Sequence, residues 1–205
     1  MKIPLKYQST EYDCGPTAVT NGINFLFDRE NIPPEVIRNI MLYSLDAYDR
    51  NGEAGKMGTT GMAMLFLSNW LNQFGKVKKW PINASVITGE SVYINQNSEV
   101  TTCLQSGGAV VAKVMLGVWH YVLLTGIDDE YIYLFDPYYR KRPFKEEGVS
   151  IINNDPTKVN RKVKKEVFNS QGKENYAFGT IEERECVLLY NMATRKTVDD
   201  IEYII

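Results

Sequence analysis

The sequence contains only one histidine and three cysteines among its 205 residues. A single imidazole excludes zinc sites built from two or three histidines. Three cysteines are too few for a disulfide framework, and their odd number leaves at least one thiol free in a monomer. Any chemistry that requires an imidazole therefore falls to His120, and we predict neither a metal site nor a cofactor.

The chain also lacks a charge excess and a long hydrophobic run. Lys and Arg number 23 against 25 Asp and Glu, which gives a formal net charge of −2. Broad nucleic-acid binding requires an excess of positive charge, so we predict no nucleic-acid partner. The longest apolar run, residues 109–116, contains Lys113 and is too short to cross a bilayer. No signal peptide is visible at the N-terminus. We therefore expect a cytoplasmic protein without a membrane span, unless a leader has been removed.

Helical patterns occupy the first half of the chain and strand patterns the second. Apolar residues recur at three- and four-residue steps after Cys14, which predicts a helix with Asp13 as its N-cap. Further helices are predicted over about 35–45, 60–74 and 99–105. Strands are predicted over residues 109–116, 118–125, 131–135 and 186–190. This order indicates an α+β fold, and the chain length suits a single domain over residues 1–205. Basic clusters at residues 140–142 and 161–165 are expected on solvated loops.

Cys14 has the setting of a nucleophile. The unpaired N–H groups and the positive dipole end of the predicted helix stabilise a thiolate there, and a thiolate is the nucleophile of a cysteine hydrolase. The alternative is a buried, inert cysteine, which is the interpretation we give to Cys103 and Cys186 because they lack this setting.

Three further residues have settings that fit a cysteine nucleophile. His120 lies within a predicted strand, and Asp136 ends the next strand 16 residues later, so an antiparallel return places the two side by side. A carboxylate beside the imidazole fixes its tautomer and stabilises its charged form. Gln8 precedes Cys14 by six residues, and its amide with the Cys14 backbone N–H would form an oxyanion hole. The alternatives are a core histidine, an Asp-Pro turn and a surface glutamine.

Three segments resemble one family. Residues 8–18 (QSTEYDCGPTA) resemble the nucleophile motif of the bacteriocin-processing cysteine peptidases, found on peptide-exporting ABC transporters and as free-standing relatives. Residues 119–128 and 133–137 resemble its histidine strand and its Asp-Pro segment. The resemblance implies a papain-like fold, with N-terminal helices packed on a C-terminal antiparallel sheet, and a peptide or protein substrate. It also implies four roles: oxyanion donor for Gln8, nucleophile for Cys14, general base and acid for His120, and orienting residue for Asp136.

The resemblance covers about residues 5–140, which we take as the motif-bearing core. Residues 141–205 form a C-terminal extension without a counterpart in the family, and residues 51–61 and 80–97 are candidate insertions. The chain has no Walker A pattern, so it is not an exporter. Cleavage after a Gly-Gly leader is therefore not transferred to it, and the oligomeric state is left open.

Two other hypotheses are compatible with these residues. Transglutaminase-like and arylamine acetyltransferase-like proteins also carry Cys, His and Asp in this order, so an amidase or an acyltransferase is an alternative. Gln8 favours the peptidase, since those two groups do not generally share it. A non-catalytic peptide-binding module is the third hypothesis. The presence of both Cys14 and His120 counts against it.

Overall fold

The computed structural model describes residues 1–197, apart from the side chains of residues 153 and 154. The helices are α1 Cys14–Leu26, α2 Pro34–Ser44, α3 Gly61–Lys78, α4 Glu99–Gln105 and α5 Lys165–Asn169. The strands are β1 Ile82–Thr88, β2 Ala109–Leu116, β3 Val118–Ile127, β4 Tyr131–Phe135, β5 Val149–Asp155, β6 Val159–Lys164 and β7 Glu185–Asn191. The last eight residues of the predicted extension 141–205 lie outside the described residues.

All seven strands form one antiparallel sheet in the order β1-β7-β2-β3-β4-β6-β5. The late strand β7 lies between β1 and β2, near one edge, whereas β5 and β6 complete the other edge. The predicted α+β class is confirmed, and so are the predicted helices and strands, within a few residues at their ends. Strands β1, β5 and β6 and helix α5 were not predicted. The single-domain assignment stays a prediction.

The sheet is covered on both faces by apolar side chains. Helices α1, α2 and α3 pack on one face, where Ile23, Leu123 and Leu189 are fully buried. The other face packs against α4, α5 and the segment around Tyr176, with Val122 at its centre. Burial of this kind is the main source of the stability of a domain.

Helix α1 approaches the sheet closely at Gly22. A Cβ atom there would lie 2.7 Å from Cδ1 of Leu189 and 3.3 Å from Cδ1 of Leu123, so a larger residue would push the helix away. The start of the same helix lies against the loop before α3, where a Cβ on Gly15 would lie 2.2 Å from Oγ1 of Thr59. These contacts fix the position of Cys14 relative to β3.

None of the helices in the described part of the chain combines the length and the apolar character needed to span a bilayer.

Candidate active site

Cys14 is the first residue of α1 and is 9% exposed. The first bond of the helical ladder runs from the Thr17 N–H to the Asp13 carbonyl, so the N–H of Cys14 lies ahead of that ladder. Asp13 occupies the N-cap position, as predicted, but its side chain makes no capping hydrogen bond to the helix. Its carboxylate turns backward and accepts the N–H groups of Ser9 and Thr10 at 3.0 and 2.7 Å. Asp13 therefore shapes the loop that leads to the thiol.

His120 and Asp136 meet as the strand geometry predicts. Strand β3 pairs with β4 so that Leu123 lies opposite Phe135, which leaves His120 and Asp136 diagonal to each other near the end of the pair. His120 Nε2 lies 2.8 Å from Asp136 Oδ1, and both side chains are buried. Because Nε2 faces the carboxylate, Nδ1 is the ring nitrogen left to face Cys14.

The imidazole of His120 binds its proton tightly. Burial acts to lower its pKa, but hydrogen bonds to Asp136 and Cys14, together with their charges, outweigh burial and raise the pKa to about 9. Burial also acts to raise the pKa of Asp136, and the hydrogen bond and charge of His120 hold that pKa below its usual value. The pair therefore favours an imidazolium beside a carboxylate at neutral pH.

Three residues hold Asp136 in place, and none of them was predicted as a site residue. The Tyr176 hydroxyl donates to Oδ2 at 2.7 Å, while Oδ1 also accepts the Tyr138 N–H at 2.7 Å. The Asn160 side chain accepts from the Asp136 N–H at 2.7 Å and donates to its carbonyl at 2.8 Å. Tyr176 has a φ of 73°, which is unusual for a bulky residue and is found where the surrounding structure imposes it.

Arg161 is buried. The prediction that its basic cluster lies on a solvated loop is wrong, because residues 161–164 belong to β6. Its guanidinium donates to the carbonyls of Asn160 at 2.9 Å and Tyr138 at 3.2 Å. Arg161 thus links the two segments that flank Asp136. No local signal in the sequence distinguishes this arginine from its solvated neighbours.

Gln8 lies beside the His120–Asp136 pair. Its backbone N–H donates to the Pro137 carbonyl at 2.9 Å, and its side-chain Nε2 donates to the Thr10 carbonyl at 2.7 Å. An amide nitrogen carries two hydrogens, so one N–H remains for another acceptor. The structure therefore brings all four predicted residues to one region.

A cavity of about 490 Å³ opens onto this region, and Gln8, His120, Tyr138 and Arg140 are part of its wall. A larger cavity of about 720 Å³ lies at the other end of α1, between Phe25 and Trp80. The 13 residues of α1 place the Cα atoms of Cys14 and Leu26 about 18 Å apart, at the helical rise of about 1.5 Å per residue. We therefore place the candidate site at the smaller cavity. No group of three or more His, Cys, Asp or Glu side chains within residues 1–197 is arranged to hold a metal ion.

A cysteine at a helix start, facing a histidine and an aspartate on an antiparallel sheet, defines the class of papain-like cysteine hydrolases. The chain belongs to the Peptidase_C39-like family, whose model matches residues 1–177. The protein is accordingly a cysteine peptidase of the papain-like class. The match extends beyond the predicted core of residues 5–140 and includes Asn160 and Tyr176.

Two of the solved structures to which the chain is similar are a peptidase domain and a protease. The peptidase domain of Streptococcus ComA, a bifunctional ABC transporter, is 17% identical, with 91% of this chain and 97% of that chain covered and a TM-score of 0.44. A double glycine motif protease from an AMS/PCAT transporter, in complex with its leader peptide, is 14% identical, with 92% and 90% covered and a TM-score of 0.41. No curated protein sequence matches the chain significantly.

The single histidine makes the titration of His120 directly observable. We expect one imidazole signal in the NMR spectrum, with a pKa near 9, and a lower pKa in the Cys14→Ala variant because a hydrogen bond and a charge are lost. Since the folded-state pKa is raised above the ordinary 6.5, this group stabilises the fold fully below pH 6.5. That stabilisation is lost as the pH rises through about 9. A wild-type pKa at or below 6.5 would contradict the geometry.

Replacement of Tyr176 by Phe removes one hydrogen bond from a buried carboxylate and leaves the ring in place. We expect the free energy of unfolding to fall by about 1.5–3 kcal/mol at neutral pH, measured by urea denaturation. The loss should shrink in acid, because Asp136 contributes stability above its ordinary pKa of 3.8 and loses it as the pH falls through its lower folded value. Tyr139→Phe, at an exposed position, is the control and should change stability by less than about 0.5 kcal/mol. Equal effects of the two variants would refute the role of the Tyr176 hydroxyl.

Proposed function

We propose that the protein hydrolyses peptide bonds through a Cys14–His120–Asp136 triad, with Gln8 as an oxyanion donor. The observation that carries the proposal is that His120 lies between the other two residues of the triad. Its Nε2 is 2.8 Å from Asp136, and its remaining nitrogen, Nδ1, is the one left for the hydrogen bond with Cys14. An imidazolium that persists at neutral pH is the countercharge that a thiolate nucleophile needs. Membership of a peptidase family supports a peptide or protein as the substrate.

The first half of the reaction forms an acyl-enzyme. The Cys14 thiolate attacks the carbonyl carbon of the scissile bond, and the carbonyl oxygen takes the negative charge of the tetrahedral intermediate. The His120 imidazolium then gives its Nδ1 proton to the leaving nitrogen as the C–N bond breaks. The amine product leaves, and the acyl group stays on sulfur as a thioester.

The second half restores the enzyme. His120, now neutral, takes a proton from a water molecule, whose oxygen attacks the thioester carbonyl. The C–S bond breaks, the acid product leaves and the thiolate again lies beside an imidazolium. Asp136 holds the ring orientation through both halves, because its hydrogen bond to Nε2 is compatible with both protonation states of Nδ1.

Two N–H groups supply the oxyanion hole. One is the backbone N–H of Cys14, which precedes the helical ladder of α1, and the other is the second amide N–H of Gln8. Donors that are fixed before the reaction stabilise the developing charge without reorganisation. The bond between Gln8 Nε2 and the Thr10 carbonyl supports such a fixed orientation.

An amidase or acyltransferase would use the same nucleophile with another acceptor in the second half. The family assignment favours water as the acceptor, and Gln8 fits a peptidase site better than those alternatives. A module that only binds peptides does not require the buried His120–Asp136 pair. Hydrolysis of a peptide is therefore the function that the geometry supports best.

Cys14→Ala is the direct test. Incubation of the purified protein with a peptide library should give new N-termini detectable by mass spectrometry, and the variant should give none because no thiolate remains. Cys103→Ala is the matched control and should retain cleavage, since that thiol is buried in α4 and burial raises its pKa to about 12. Cleavage that survives in Cys14→Ala would exclude the assignment. Thioester turnover that requires an added amine would instead favour the acyltransferase.

Gln8→Ala tests the oxyanion hole separately. We expect kcat to fall by about 10²–10³-fold for a cleaved peptide, with a smaller change in KM, because the lost interaction belongs to the transition state. Ser9→Ala, whose side chain is not among the proposed groups, serves as the control on the same loop. A kcat within twofold of the wild-type value in Gln8→Ala would remove Gln8 from the mechanism.

A further inference from the structure

Arg140 is held in place, and within residues 1–197 it has no carboxylate partner. Its Nε–H donates to the Arg142 carbonyl at 2.8 Å, and its guanidinium carbon lies 4.3 Å from the centre of the Phe144 ring. No ion pair involves Arg140 within residues 1–197, so its two terminal NH₂ groups carry a charge that no neighbouring carboxylate neutralises. A fixed guanidinium fork is suited to bidentate binding of a carboxylate.

The position of Arg140 assigns it to one side of the scissile bond. It lines the 490 Å³ cavity together with His120 and Gln8, whereas Cys14 is not part of that wall. In the proposed mechanism His120 gives its proton to the leaving nitrogen, so the wall that contains His120 faces the part of the substrate that follows the scissile bond. Arg140 therefore lies on the leaving-group side.

The other charges around this cavity do not neutralise Arg140. Glu11, on the loop before α1, also lines the cavity, and it makes no ion pair with Arg140 in the described chain. Asn175 also lines the cavity, and its amide donates to Glu146 at 2.6 Å. The carboxylate of Glu146 is thus bonded to Asn175 and makes no ion pair with Arg140 in the described chain. Lys141 is exposed beside Tyr139 and does not line the cavity. Besides the imidazolium of His120, which is paired with Asp136, Arg140 is the cation among the residues that line this cavity.

We infer that Arg140 binds a carboxylate of the substrate on the leaving-group side of the scissile bond. This inference rests on the proposed function, since that function decides which side of the cavity is the leaving-group side. The carboxylate belongs either to an Asp or Glu side chain in the residues that follow the cleaved bond or to the C-terminal end of a short leaving peptide. Both sources present the same planar group to the guanidinium.

The test compares carboxylates with neutral isosteres. A peptide that the wild-type protein cleaves is synthesised with Glu or Gln at each of the first three positions after the cut, and with an acid or an amide at its C-terminus. We expect kcat/KM to be about tenfold higher for the acidic member of one pair, as for a charge-assisted hydrogen bond. The pair that responds identifies the source of the carboxylate. In Arg140→Gln the ratio should fall to about one, whereas Lys141→Gln should keep it.

Binding gives a second readout that does not depend on turnover. The same peptides, labelled for fluorescence anisotropy, are titrated with Cys14→Ala alone and combined with Arg140→Gln. A preference for the acidic peptide that Arg140→Gln removes supports the inference without relying on turnover, because the Cys14→Ala background does not cleave. Cleavage or binding that shows no acidic preference in any pair, or a preference that Arg140→Gln leaves intact, overturns the inference and leaves the Cys14 mechanism standing.

Discussion

The hydrogen bond between His120 and Asp136 is the interaction on which the rest of the site depends. It joins two neighbouring strands at 2.8 Å inside the protein, and it decides which imidazole nitrogen remains for Cys14. Without it the ring would be free to rotate and its proton would be held less tightly. The close approach of α1 to the sheet at Gly22 sets the position of Cys14 relative to this pair.

A buried carboxylate is costly unless several donors satisfy it. Asp136 receives three on its side chain, from His120, the Tyr138 N–H and the Tyr176 hydroxyl, and Asn160 pairs with its backbone. Two of these residues come from the region after residue 141, so that region is part of the candidate site rather than an appendage to it. Tyr176 has an unfavourable positive φ, and in this conformation its hydroxyl donates to the buried carboxylate of Asp136.

Local signals explain what the sequence could predict. The helix at Cys14, the strands around His120 and the 16-residue interval to Asp136 each arise from periodicity or a short turn, so these elements are where the sequence placed them. Tyr176 lies 40 residues beyond Asp136, and no spacing rule connects them. The prediction of a solvated loop at Arg161 was wrong for a related reason. A basic run is typical of solvated surface, and only the pairing of β6 with β4 buries this side chain. Asp13 occupies the predicted N-cap position, but its carboxylate accepts from Ser9 and Thr10 in its own loop and makes no capping hydrogen bond.

Asp13 and Glu185, two buried acids of this region other than Asp136, direct their oxygens to partners other than His120. Asp13 directs its oxygens to Ser9 and Thr10, and Glu185 accepts the Tyr121 hydroxyl at 2.8 Å. Burial and then the charge of Glu185 raise the pKa of Tyr121, so the phenol stays protonated and remains a donor. Asp13 and Glu185 are thus engaged away from the imidazole, whereas Asp136 is the buried carboxylate that accepts from it at 2.8 Å. The raised pKa of His120 follows from that pairing and from its contact with Cys14, which together outweigh burial.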